Sequence, residues 1–181
     1  FIISIYQKNN ITLIPYRIDK NECIDKAFLD IDDTYEHLII AGGDGTIDII
    51  INAMKNLNIN LPVGILPVGT ANDFAHSLGL EFDIKKAVDN IINSNPRNFD
   101  IGINDKYFIN VASAGMFTDV SQKINPDFKN YMGKVAYYIA GIEETLHLRA
   151  FNIKVKSDEV EYKGNMYLML VFNGKTAGNL N

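Results

Sequence analysis

One stretch of sequence, HLIIAGGDGT at residues 37–46, decides the fold. Its first half, residues 37–41, is a continuous apolar run, which is typical of a strand in a parallel sheet covered on both faces. Its second half places three glycines in four positions, from Gly42 to Gly45, and an apolar stripe with helical spacing begins at Ile47. Such a turn lets the main chain approach a ligand, and the N–H groups that open the helix bind phosphate oxygens. The stretch therefore predicts a phosphate-binding loop.

Asp44 lies inside this loop. A carboxylate there would repel phosphate unless it held a metal ion, a water molecule or a hydroxyl group. No lysine directly follows the loop, so neutralising the phosphate charge would require Mg²⁺ or a residue elsewhere in the chain. The alternative is that the glycines only make a sharp connection between a strand and a helix.

A second segment, PVGTANDFA at residues 67–75, also follows a predicted strand and opens a predicted helix. Because ligands of open α/β sheets bind at the carboxyl edge of the strands, we expect both loops to lie at that edge. The alternative is a structural one: Thr70 and Asp73 have the Thr-x-x-Asp spacing of a capping box, which would need no ligand.

Alternating strand and helix patterns over the first half indicate βαβ units and a parallel sheet. Strands are predicted at residues 11–17, 37–41 and 63–66, and helices at 24–31, 47–57, 72–77 and 84–92. The second half is richer in strands, with a β-rich run at residues 107–113, a long helical pattern at 128–148 and an antiparallel meander from 151 to 172 that ends in a buried strand at 166–172. We place a domain boundary near Asn95-Pro96-Arg97.

The composition excludes several classes of protein. Of 181 residues, 47% are hydrophobic and 22% are charged, so the chain can bury a core. The net charge of −5 argues against a nucleic-acid partner, which would need a basic face. A single cysteine makes no internal disulfide, and no apolar run approaches the about 20 residues that span a bilayer.

The two loops together resemble the catalytic domain of the diacylglycerol kinase and sphingosine kinase family, and its bacterial lipid kinase branch in particular. The first loop alone is shared with NAD kinases, whereas the pair, GGDGT at residues 42–46 and GILPVGTANDFA at 64–75, is highly specific. Similar motifs cover most of the chain: Asp100-Ile101-Gly102, Phe108-Ile109-Asn110 with Gly115, Gly133-Lys134 with Tyr137, and Asn173-Gly174 with Ala177-Gly178.

The resemblance implies an NAD kinase/diacylglycerol kinase-like α/β ATP-binding domain over residues 1–98 and the first part of a β-rich lipid-substrate domain over 99–181. It implies a Mg²⁺-dependent lipid kinase that moves the γ-phosphoryl of ATP to a hydroxyl of diacylglycerol or a similar lipid. Asp44, Asp73 and Asp100 match acidic positions that hold Mg²⁺ through water, although Asp100 could instead simply end a strand. The ATP contacts implied are Gly42, Gly43, Asp44, Gly45, Thr46, Thr70 and Asn72.

Parts of the family pattern are not found in residues 1–181. The opening strand and its Asn-Pro-rich loop would precede Phe1, and the general base, in an Asp-Gly-Glu-like segment, would follow Asn181. We therefore expect no catalytic base in this fragment and no activity from the fragment alone. Where the family commonly has an acidic residue soon after Gly-Asp-Gly-Thr, this chain has Asp48 followed by Ile49.

Two other functions stay open. A nucleotide kinase similar to NAD kinases would share the first loop, although residues 70–73 argue against it, and a non-catalytic nucleotide- or lipid-binding module would use both loops. For a lipid kinase we expect a cytoplasmic protein with transient contact at the inner membrane face. The helical pattern at residues 128–148 could line a lipid tunnel, rest on a membrane or pack on a sheet. An edge strand could pair with a second copy, so a homodimer also stays open.

Overall fold

The computed structural model describes residues 1–18, 24–115 and 150–174. The chain divides into two compact units. The first unit is discontinuous: it contains Phe1–Val111 and the chain from Phe172 onward. The second unit contains Ala112–Val171. Residues 99–111 thus lie in the first unit. The boundary that we place near residue 98 stays a prediction about functional domains.

The helices among the described residues all belong to the first unit. They are α1 (Ile2–Lys8), a 3₁₀ helix (Ile24–Phe28), α2 (Asp44–Asn56), α3 (Asp73–Ser77) and α4 (Ile84–Asn93). The strands in chain order are β1 (Leu38–Gly42), β2 (Val63–Pro67), β3 (Gly102–Ile103), β4 (Tyr107–Phe108), β5 (Val111–Gly115), β6 (Phe151–Lys156), β7 (Glu161–Met166) and β8 (Leu168–Phe172).

A parallel pair of strands, β1 and β2, forms the centre of the first unit. The register runs from Leu38 opposite Val63 to Gly42 opposite Pro67, so both carboxyl ends stop at the same level. The connection between them is α2, which makes a βαβ unit. The strands predicted at residues 37–41 and 63–66 are confirmed, and the two loops open from one edge of the sheet as expected.

The sequence of β1 is apolar throughout because each face of the strand packs in a different apolar cluster. Ile40 of β1 and Ile65 of β2 pack with Ile47 and Ile50 of α2 in one cluster. Leu66, the next residue of β2, packs in the other cluster with residues of α1 and α4. Because successive side chains of a strand point to opposite faces, the two clusters cover the two faces of the sheet.

Three predictions for the first unit need correction. The helix predicted at residues 47–57 begins earlier, at Asp44, so the acidic part of the glycine loop is its first turn. The pattern at residues 24–31 forms only a five-residue 3₁₀ helix. The strand predicted at residues 11–17 is wrong, because these residues form no regular structure; Ile11 and Leu13 pack on the second cluster without pairing with a strand.

In the second unit, β6 and β7 form an antiparallel hairpin with Phe151 opposite Met166. The meander is nevertheless wrong at its last strand, because β8 pairs with β5 and not with β7. The run at residues 166–172 breaks at Tyr167, and Leu168 and Leu170 of β8 are 37% and 40% exposed, so this strand is not buried. Alternating apolar residues predict strands but do not choose their partners.

The helical pattern at residues 128–148 lies outside the described residues. Within the part of the chain that the structure describes, none of the helices combines the length and the apolar character needed to cross a bilayer.

We predict that Tyr6→Ala lowers the free energy of unfolding of the first unit by about 3–5 kcal/mol, as large truncations of buried aromatic residues do. Tyr6 is 1% exposed, and its hydroxyl forms a 3.0 Å hydrogen bond with Nε2 of His37. Urea unfolding measures the change. Tyr16, which is 53% exposed, provides the control, and an equal loss in Tyr16→Ala would contradict the packing of α1.

Candidate active site

The two glycine loops touch each other through their backbones at the carboxyl edge of β1 and β2. The N–H of Val68 donates to the carbonyl of Gly42 over 3.3 Å, which carries the pairing beyond the strand ends. A Cβ atom at Gly69 would overlap the Cα of Gly43 and would lie 2.7 Å from Oδ1 of Asn72. Glycine at position 69 is therefore required by the close approach of one loop to the other.

Asn72 holds the second loop in shape. Its side chain is buried, and its backbone adopts the left-handed conformation with φ 52°, which asparagine tolerates better than most residues. Its Oδ1 accepts from the N–H of Gly69 over 2.9 Å, and its Nδ2 donates to the carbonyl of Gly69 over 2.9 Å and to that of Pro67 over 3.4 Å. The side chain thus closes residues 67–72 into a turn.

The capping box considered for Thr70 and Asp73 is wrong. The first helical residue of α3 is Asp73 and its N-cap position is Asn72, so Thr70 lies outside the helix in an exposed bend. Asn72 makes no side-chain cap bond either, because its amide group is used within the loop. The first turn of α3 is capped by a residue from elsewhere.

That residue is Asp44 of the first loop. Its Oδ2 accepts from the N–H of Asp73 over 3.0 Å, and its Oδ1 accepts from the N–H of Phe74 over 2.8 Å. Oδ1 also accepts from Nδ2 of Asn110 over 3.0 Å. A carboxylate at the N-terminus of a helix is favoured because it accepts hydrogen bonds from exposed N–H groups there. The Asp44 carboxylate therefore joins the first loop to the second and to Asn110.

The first turn of α2 has the features of a phosphate site. Its N-cap residue, Gly43, contributes no side-chain cap bond, and a Cβ atom at Gly45 would meet nothing within 4 Å. The main chain at Gly45 therefore borders open space, where a ligand can reach the N–H groups of the helix. Thr46 packs its side chain against Gly42, where a Cβ atom would lie 2.6 Å from the Thr46 Cβ.

The structure brings the predicted residues together only in part. Asp73, half-buried, meets Asp44 through its backbone N–H. Asp100 is exposed, and its carbonyl accepts from Nδ2 of Asn173 over 2.7 Å. In the described ranges no three His, Cys, Asp or Glu side chains gather into a group that could ligate a metal directly. A carboxylate has about four lone-pair directions, and Asp44 uses three, so it retains one for a water molecule.

Asp48, one turn further along α2, is the acidic residue whose environment is most altered. Burial raises the pKa of the Asp48 carboxyl, and a hydrogen bond from the Ile109 N–H and the positive charge of Lys106 offset part of that rise.

Sequence reasoning missed the roles of three asparagines: Asn52, Asn110 and Asn173. Asn110 and Asn173 were recognised only as parts of family motifs. A signal for Asn52 does exist, since Asp44, Asp48 and Asn52 recur every four residues along a helix that is otherwise largely apolar.

A family model described as the diacylglycerol kinase catalytic domain matches residues 2–103, which include both loops. The chain belongs to this family. Curated relatives include diacylglycerol kinase of Bacillus subtilis (strain 168), 39% identical over 139 residues, and that of Staphylococcus carnosus (strain TM300), 38% identical over 138 residues. Each alignment covers 76% of this chain, and 46% and 45% of the respective relative, so the chain spans about half their length.

A solved structure shows the same fold. The crystal structure of a diacylglycerol kinase from Bacillus anthracis str. Sterne superposes with a TM-score of 0.68 at 25% identity. The match covers 94% of this chain and 56% of that one. The predicted fold class, an α/β nucleotide-binding domain like those of diacylglycerol kinases, is confirmed.

We predict that Gly69→Ala lowers the free energy of unfolding by about 1–3 kcal/mol, because the new methyl group forces the two loops apart. Gly45→Ala is the matched control. Its methyl group meets no atom within 4 Å, so we expect no loss of stability. Urea unfolding of both variants measures the difference, and equal stability of the two would show that the loops are not in contact.

A second prediction concerns Asp48. Because burial raises its pKa in the folded state, the unfolded chain releases this proton first as the pH rises, and ionised Asp48 then opposes folding. Asp48→Asn should match the wild type in unfolding free energy below the ordinary pKa of aspartate and exceed it at neutral pH. Urea unfolding from pH 3.5 to 7 measures this. A variant that is less stable than the wild type at pH 7 would contradict the prediction.

Proposed function

We propose that this chain binds Mg·ATP at the edge formed by the two loops and is the nucleotide-binding part of a lipid kinase. The kinase transfers the γ-phosphoryl of ATP to a hydroxyl of diacylglycerol or a similar lipid. One observation carries the proposal: two glycine loops are locked together beside a helix start that no side chain caps. Family membership and the names of the relatives support the choice of a lipid acceptor.

Four of the predicted ATP contacts, Gly43, Gly45, Thr46 and Asn72, have a defined role in this proposal. The backbone N–H groups of Gly43 and Gly45 bind phosphate oxygens, and the absence of a side chain at Gly45 leaves room for them. The N–H of Thr46 already donates to the carbonyl of Gly43 over 3.0 Å, so the proposed contact of Thr46 is through its hydroxyl group. Asn72 acts indirectly, because its side chain shapes the loop. The remaining proposed contacts are Gly42, Asp44 and Thr70.

The proposed donors, Asp44, Asp73 and Asp100, are carboxylates, and carboxylates suit Mg²⁺. Asp44 has one lone-pair direction left and so suits a water molecule of a hydrated ion better than the ion itself. We propose Asp73 and Asp100 as the other members of this water-mediated set. When bound, Mg²⁺ supplies the positive charge that phosphoryl transfer requires and that these loops lack. We assign no residue of this chain as general base, and we propose that residues 1–181 alone do not turn over.

A kinase with a soluble nucleotide and a lipid acceptor must work at a membrane surface. We propose transient contact with the cytoplasmic face, without strong attraction to anionic lipid, since the chain carries a net charge of −5. The same charge supports the absence of a nucleic-acid partner. We also propose that two copies of the chain can form a homodimer by pairing through an edge strand.

The decisive experiment is a radiolabel transfer assay with the longest natural polypeptide that contains this sequence. Mg·[γ-³²P]ATP is offered with detergent-dispersed diacylglycerol, with sphingosine and with NAD. We expect labelled lipid phosphate from diacylglycerol or a similar lipid and none from NAD. Label in NAD alone would establish the nucleotide kinase instead, and nucleotide binding without any transfer would establish a binding module.

We predict that Asp44→Asn reduces transfer by about 100-fold while the protein stays folded, because second-shell partners of a metal typically contribute 10- to 100-fold to activity. An asparagine has the same shape and keeps one acceptor oxygen for α3, but it replaces the other with an amide group. Circular dichroism verifies the fold. Asp89→Asn, at an exposed site of α4, is the control, and wild-type turnover in Asp44→Asn would exclude Asp44 from the metal network.

A further inference from the structure

One face of α2 carries a polar stripe of three residues, Asp44, Asp48 and Asn52. Residues four positions apart lie above one another on a helix, so the three form a continuous row. The buried residues of this helix lie off the row: Ile47, Ile50, Ala53 and Met54. The stripe faces one short segment of the first unit, residues 107–110, to which Asp44 and Asn52 are hydrogen-bonded.

Asn52 binds the segment at its start. Its Nδ2 donates to the carbonyl of Tyr107 over 2.9 Å, and its Oδ1 accepts from the N–H of Tyr107 over 3.0 Å. This pair of bonds is the one that a neighbouring strand would make with the same residue. The amide side chain thus fixes the register of the segment along the helix.

Asp48 lies next to the segment two residues later, where the backbone of Ile109 lowers the pKa of its carboxyl against the rise caused by burial. The side chain of Ile109 is 3% exposed and belongs to the apolar cluster that also contains Ile47 and Ile50. The hydrogen bonds of Asn52 and the packing of Ile109 therefore hold the segment in the same position against α2.

Asn173 holds the segment from another direction. Its backbone N–H donates to the carbonyl of Asn110 over 2.7 Å, and its Nδ2 donates to the carbonyl of Ile109 over 3.2 Å and to that of Asp100 over 2.7 Å. Because these bonds hold the main chain at residues 109–110, the position of the Asn110 Cα, from which its side chain extends, is fixed.

Asn110 delivers its Nδ2 to Oδ1 of Asp44, which also accepts from the N–H of Phe74. Oδ1 is then saturated, and the one remaining lone-pair direction of the carboxylate belongs to Oδ2. We propose that Asn110 is a positioning residue of the kinase site: it sets the rotation of the Asp44 carboxylate, and the stripe on α2 together with Asn173 holds Asn110 in place. The catalytic consequence rests on the proposed function.

A double-mutant cycle tests the interaction without any measurement of activity. The thermal midpoint is measured for Asn110→Ala, Asp44→Ala and the double variant of the full-length protein. We expect Asn110→Ala to lower the midpoint by a few degrees in the wild type and by much less in the Asp44→Ala background, because the bond it removes is already lost. Equal shifts in both backgrounds would overturn the proposal.

Asn93 offers a matched control, since it is exposed on α4 and its Nδ2 donates only locally, to the carbonyl of Asp89 over 2.9 Å. Asn93→Ala should be additive with Asp44→Ala. If Asp44→Ala does not fold, side-chain amide exchange in the wild type decides instead. The Nδ2 protons of Asn110 should exchange about tenfold more slowly than those of Asn93, and equal rates would overturn the proposal.

Kinetics of the full-length protein separate positioning from mere stability. We expect kcat to fall about tenfold in Asn110→Ala and in Asn110→Asp, with an unchanged KM for lipid and with Asn93→Ala at the wild-type level. Asn110→Asp has the shape of the native residue, but its ionised carboxylate donates no hydrogen bond and repels Asp44. Unchanged kcat in both Asn110 variants of an active enzyme would overturn the proposal. The double-mutant cycle could show an interaction between Asn110 and Asp44 in a protein whose wild type transfers no phosphate. That result would support the positioning of Asp44 by Asn110 and would overturn the proposed function instead.

Discussion

The carboxylate of Asp44 is the point on which the candidate site depends. It accepts three hydrogen bonds, two from the backbone at the start of α3 and one from the side chain of Asn110. These bonds explain how an acidic residue can stand in a loop that we propose binds phosphate. Its negative charge is offset by N–H donors and by the positive end of a helix before any ligand arrives. The presence of Asp44 is therefore not by itself an argument for Mg²⁺. The argument for the metal comes from the proposed ligand, ATP, because these loops offer no lysine to neutralise its phosphate charge.

The two loops also depend on each other for their shape. A five-residue helix such as α3 is too short to be stable by itself, so it needs a cap and a packing partner. Its cap comes from Asp44, and its packing comes from Phe74, which belongs to the same apolar cluster as Ile40 and Ile47. In return, the N–H groups of α3, together with the side chain of Asn110, hold the carboxylate that opens α2. Neither loop reaches its final form without the other, which favours a site that is assembled by folding and not by the ligand.

Local patterns predicted the parts of this arrangement that are local. The apolar run at residues 37–41, the glycines after it and the helical stripe from Ile47 specify a strand, a turn and a helix within one stretch. The shared edge then follows from the parallel register. The cap of α3 was not predicted, because the only cap considered, as an alternative to ligand binding, lay within one turn, between Thr70 and Asp73. The real cap lies 29 residues before Asp73, and its side-chain donor lies 66 residues after Asp44. The partner of β8 was missed for the same reason: periodicity shows which face of a strand is apolar and not which strand it joins.

The hydrogen bonds at the edge are made either by backbone groups or by side chains. This difference explains which residues must have a particular identity. Donors from the backbone, at residues 73 and 74, are available whatever side chains stand there, so those bonds alone would tolerate many sequences. The side chains of Asp44, Asn72 and Asn110 have no such substitutes, because each supplies an oxygen or an amide group at one position of the network. Gly69 is required in the same strict sense by the close approach of the loops. A glycine turn after a strand is therefore a weak sign of this site, whereas the two loops together with a distant asparagine are a specific one.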